Sequence, residues 1–172
     1  MRIFFFLLIT LGLATSSWGQ ASTQIQQIEE QYAFNIQQTH INDVYIPEDV
    51  DDAMTELDRL SDETGRAKFL ETDEDNAAKV LVKGLGRWMI VNWNFFDGSR
   101  LSHYLKEMGV SHPDDMAKFL IVSYHRYLRG ADQEYKIRAK IYEEQRKSDQ
   151  EKRNAELQAE AEKNYQKGKG DN

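Results

Sequence analysis

The chain has 172 residues, 22 Lys+Arg against 29 Asp+Glu, a formal charge of -7 and no cysteine. Without thiols it can have no disulfide staples, thiol catalysis, lipid-modified cysteine anchor or cysteine-built zinc site. The acidic balance leaves no basic footprint for a phosphate backbone, so nucleic acid is not an expected partner.

The first twenty residues set an expected address. Arg2 supplies a positive start, Ile3 to Ala14 form a short apolar run, and Ser17 and Gly19 are small residues suited to a cleavage site. A membrane span needs about twenty apolar residues, so 1–19 reads as a signal peptide. The mature chain would begin at Gln20, and its expected location is periplasmic or secreted, with no stable membrane anchor after cleavage. Removing the segment takes away one basic residue and no acidic one, which leaves a net charge of -8.

In the mature chain, Ile25, Ile28, Tyr32 and Ile36 make a thin stripe among glutamines, the pattern of a surface helix over 20–40. Pro47 keeps Ile46 out of helical geometry and can itself open a helix, whose positive end Glu48, Asp49, Asp51 and Asp52 favour. Val50, Ala53, Met54, Leu57 and Leu60 form the inward stripe that follows. A short helix comes next. A longer one has Thr72 and Asp75 as its expected capping pair and Ala77, Val80, Leu81, Gly84, Leu85 and Trp88 on one face. Gly84 and Gly86 predict close helix contact or a kink. "FFDGS" predicts a turn, with Ser99 capping a helix that buries Leu101, Tyr104, Leu105 and Met108 and stops at Gly109. Asn92 is a candidate hydrogen-bond donor to that turn.

The final core helix is expected from Pro113 to about Arg129, with Met116, Phe119, Leu120, Ser123, Tyr127 and Leu128 inward. By that phase His125 lies opposite the buried stripe and is expected to be exposed. Beyond Gly130, acid-first pairs such as Glu134/Arg138 and Glu143/Lys147 dominate, and Ile137 and Ile141 begin a seam that no heptad continues. The predicted fold class is all-α: a small bundle of about four to five helices over 41–130. A charged helical tail, frayed at its end and free of the core, occupies 131–172.

"SHPDDM" gathers a serine, a histidine and two aspartates, and helix initiation explains all of them. Pro113 suits the first helical position, Asp114 and Asp115 face free N–H groups, and His112 or Ser111 caps. The competing reading is a metal or acid–base site of His112 and an aspartate with His103 or His125. No histidine pair has the spacing of helical zinc motifs. "GLGRW" lacks the remainder of a phosphate loop, and "DEDNAA" lacks the glycine of a calcium loop.

Together "VYIPEDVDDA", "GLGRWMIVNW", "GSRLSHYLKEMGVSHPDDM" and "SYHRYLRG" resemble an uncharacterised bacterial domain family, a domain of unknown function, over roughly residues 41–130. Similar members carry His-Phe before the glycine-leucine-glycine and Arg-Asn after the first tryptophan, where this chain has Val82-Lys83 and Ile90-Val91. The resemblance implies a domain boundary and no mechanism. The expected function is an exported, non-enzymatic binding or interaction module without cofactor or metal. Its expected patch is Ser99, Arg100, His112, His125 and Arg126, and its partner a protein or small ligand of the envelope. The alternative is a hydrolase-like or metal-dependent enzyme built on His112, Asp115 and His125.

Overall fold

The computed structural model describes residues 16–170, so residues 1–15 of the expected signal segment lie outside the described residues. The fold is all-α with a long C-terminal helix and one two-stranded hairpin. In chain order the elements are α1 (Ser16–Asn35), β1 (His40–Ile41), β2 (Val44–Tyr45), α2 (Val50–Leu60), α3 (Glu63–Leu70) and α4 (Glu74–Leu81). A π-helical turn (Val82–Gly86) then leads into α5 (Arg87–Asn92), α6 (Arg100–Glu107), α7 (Pro113–Leu128) and α8 (Tyr135–Gly170). No helix among the described residues is long and apolar enough to cross a membrane.

Local chemistry sets most of the boundaries. The antiparallel strands pair His40 with Tyr45 and Ile41 with Val44 across Asn42 and Asp43, both at positive φ. Two-residue hairpin loops of type I′ require that geometry, and Asn and Asp tolerate it. Asp49, Asp62 and Asp73 cap α2, α3 and α4 by accepting N–H groups three residues on. The cap of α4 is therefore Asp73 rather than the expected Thr72. Ser99 and Ser102 form a reciprocal capping box at α6. At the other end of α6, the Val110 N–H reaches the Leu105 carbonyl and the Gly109 N–H that of Lys106. Gly109 holds φ at 101°, which makes this a Schellman stop.

α7 occupies the centre of the molecule. It packs against α2, α3, α4, the π turn, α5, α6 and α8. Met116, Ala117, Phe119, Leu120 and Ile121 are all fully buried on it, together with Met54, Leu57, Trp93, Phe95, Leu101 and Leu105 from its neighbours. α3 and α4 cover the side of α7 that carries His125, which corrects the expectation for that residue: it is 2 % exposed, with its ring against Phe69 and its Nε2 at the Thr72 carbonyl. Tyr127, expected inward, is 42 % exposed instead.

Two terminal segments are fastened by side chains that carry little hydrophobic signal. At the end of α1, the Tyr32 ring lies over Gly98, where an added Cβ would stand 2.3 Å from Tyr32 Cδ2. Tyr32 Oη is 3.1 Å from His103 Nδ1, and Asn35 Nδ2 donates to the Asp97 carbonyl at 3.3 Å. At the start of α8, Tyr135, Arg138, Ala139 and Tyr142 face the core, and Arg146 bonds Asp115. The tail expected to be free of the core is thus packed on it through its first turns. Its apolar-looking residues, Ile137 and Ile141, face outward.

Candidate functional site

The polar residues singled out from sequence are committed to the fold. Ser99 is fully buried and serves its capping box. Arg100 Nε donates to the Ile46 carbonyl at 2.6 Å, and its guanidinium stacks on Tyr45 and faces Glu48 and Asp52. One arginine therefore joins the hairpin, α2 and α6. His112 caps α7, its Nδ1 accepting the Asp114 N–H at 3.2 Å. Asp115 is buried in the first turn of α7, paired with Arg146 and 3.7 Å from Lys118 Nζ.

His125, Arg126 and Arg129 form a second structural group at the far end of α7. His125 Nε2 lies 2.8 Å from the Thr72 carbonyl, so that nitrogen carries the hydrogen. Its ring meets Phe69 edge-on, and its Nδ1 is buried without a partner. Arg129 donates to the Leu70 carbonyl at 2.8 Å. These two side chains satisfy the carbonyl at the end of α3 and one in the turn that follows it. Arg126 bridges Glu74 of α4 and Glu134 before α8 at 2.8 and 2.5 Å, and those carboxylates raise its pKa.

The three residues of the enzymatic alternative do not converge. At 1.5 Å per residue, His125 lies roughly 15 Å along α7 from Asp115 and roughly 20 Å from His112. Among the described residues no group of three or more His, Asp or Glu side chains is arranged to hold a metal ion.

Two cations without a partner, Lys83 and Arg87, lie beside the π turn. There the Arg87 N–H reaches back five residues to the Val82 carbonyl, the widened turn that defines π geometry. Gly86 is buried in this turn against α7: an added Cβ would sit 3.2 Å from Val82 Cγ2 and 3.4 Å from Ala117 Cβ. Gly84, by contrast, faces open space. Close approach at Gly86 brings the turn alongside the first residues of α7. The result is a depression of about 310 Å³, open to solvent and lined by Val82, Lys83, Arg87, Ile90 and Asp114.

Val82 and Ile90 give this depression an apolar floor, and Lys83 and Arg87 are exposed. Every other arginine among the described residues has a hydrogen-bond or ion-pair partner. Arg87 has none, and neither does Lys83. Asp114 completes the rim, 56 % exposed and 4.0 Å from His112 Nδ1. Residues 46–128 match the model of a family described as Domain of unknown function (DUF6794). No curated protein and no solved structure matches the chain. The matched segment contains the whole depression, whereas the anchoring residues Tyr32, Asn35, Arg138 and Arg146 lie outside it.

The sequence marks Asp114 as part of a helix start, or as one of the aspartates open to a metal or acid–base site with His112, and does not mark Lys83 and Arg87 as candidates. The available signals were two glycines inside a helical pattern and the departures from the resembling family at Val82-Lys83 and Ile90-Val91.

Proposed function

We propose that the protein is an exported, non-enzymatic binding module that takes a small carboxylate-bearing ligand in the depression at the π turn. The observation that carries this reading is the unpaired guanidinium of Arg87, beside Lys83 and above an apolar floor. Arginine presents a planar fork that matches a carboxylate with two parallel bonds. The depression measures about 310 Å³ and opens to solvent, so a bound ligand remains partly exposed. Support for the non-enzymatic part is that the serine, histidine and aspartate candidates already serve caps, carbonyls and ion pairs. Support for export is the sequence of residues 1–19 alone. On this reading the envelope form starts at Gln20, and an intact mass that includes Met1 would contradict export.

Binding is tested by backbone-amide NMR with N-acetyl-leucine, which offers one carboxylate and one apolar side chain. Shifts should concentrate between Val82 and Ile90 and at Asp114, and should disappear in Arg87→Gln. Shifts confined to the His125–Arg126 end of α7, or none at all, would count against the proposal.

A further inference from the structure

The rim of the same depression carries both signs of charge without pairing them. Lys83 and Arg87 line it, and so does Asp114, yet no ion pair joins Asp114 to either cation within 4.0 Å. The charges that neighbour Asp114 lie elsewhere. His112 Nδ1 stands 4.0 Å away, and Arg146, which feels the Asp114 charge, is bonded to Asp115. A carboxylate held in an anion-receiving depression opposes a dianion such as phosphate. Toward a ligand ammonium it offers charge-assisted acceptance.

We infer that the depression selects zwitterionic ligands of the amino-acid or short-peptide class. The ligand carboxylate lies on Arg87 and Lys83, its ammonium on Asp114, and its apolar side chain against Val82 and Ile90. An extended dipeptide separates its end charges by roughly 7 Å. Asp114 and the two cations share the depression with no ion pair between them, so a ligand with a charge at each end can meet both signs. Specificity then comes from the unpaired charge that each end would otherwise leave. This inference rests on the proposed binding role and adds the second polar contact to it.

Calorimetry with glycyl-leucine, N-acetyl-glycyl-leucine, glycyl-leucinamide and inorganic phosphate tests it on the full chain. Glycyl-leucine should bind at least about tenfold more tightly than either blocked peptide, and phosphate more weakly still. Asp114→Asn, which keeps the backbone N–H bonded to His112, should bring glycyl-leucine down to the affinity of the N-acetyl form. It should not weaken the N-acetyl form, because loss of the neighbouring carboxylate removes a repulsion from that anion. Equal binding of glycyl-leucine and its N-acetyl form in the wild type would overturn the zwitterion inference and leave the carboxylate site standing. Binding of none of the four probes would overturn both.

Discussion

Burying a tyrosine hydroxyl disfavours its ionised form, because the phenolate loses its hydration. Three tyrosines fasten this core. Tyr135 donates to Asp51 at 2.7 Å, and burial followed by that carboxylate raises its pKa. Tyr124 and Tyr142 are raised first by burial, with Ser61 and Arg138 opposing in turn. The folded chain therefore keeps protons that the unfolded chain releases near pH 10. More protons bound in the folded state make stability fall as pH rises. The contribution should be complete below about pH 10 and decline above it, toward the raised folded values. Tyrosinate absorbance of the folded protein should lag behind that of the denatured chain, and melting from pH 8 upward should fall less steeply in Tyr135→Phe. Identical titration curves for folded and denatured protein would show that these hydroxyls are not held as described.

At the scale of elements, α8 divides into a packed part and a projecting part. Arg138 is 9 % and Ala139 1 % exposed, and Arg138 donates to the Phe119 carbonyl, to Ser123 Oγ and to the Gln133 carbonyl. Its guanidinium also lies over the Phe119 ring, 4.6 Å from the centroid. From residue 147 onward every described side chain is exposed. Deleting 149–172 should leave the melting midpoint nearly unchanged. Deleting 134–172 should lower it by more than about 8 °C, which corresponds to roughly 2 kcal/mol or more in a chain of this size. Equal midpoints for the two truncations would mean that the first turns of α8 do not belong to the core. The sequence concealed this division because the buried stripe is Tyr135, Arg138, Ala139, Tyr142 and Arg146, at helical spacing but with almost no aliphatic residue. Long amphipathic side chains can cover apolar surface while keeping their polar ends bonded. Looking for aliphatic residues instead selected Ile137 and Ile141, the two that face away. The capped starts and glycine stops were legible, since a cap or a positive φ depends on a few neighbouring residues. Ser99, His112–Pro113, Gly109 and Gly130 all stand where the sequence implied, whereas α2 opens at Val50 behind the Asp49 cap and not at Pro47.

At the scale of the whole molecule, the difficulty lay in α7. A single buried stripe places His125 and Arg126 on an outer face of α7, whereas α3 and α4 pack over that side and the exposed side carries Tyr127. Which polar residues are already satisfied depends on partners some 50 residues away, such as Thr72 for His125 and Glu74 for Arg126. No local pattern carries that information, so the candidate site was the least legible part. Among the described residues, the structure separates arginines with polar partners from Arg87, which has none. Arg126 and Arg100 make charge-assisted bonds in partly buried settings, each of a kind worth about 1.5–3 kcal/mol. Arg87 makes none. Parallel thermal melting of Arg87→Ala, Arg100→Ala and Arg126→Ala tests this separation most directly. Arg100→Ala and Arg126→Ala should each melt about 4–10 °C below wild type, while Arg87→Ala should melt within about 2 °C of it. A drop in Arg87→Ala as large as in the other two would contradict its availability, and with it the placement of the binding site at the π turn.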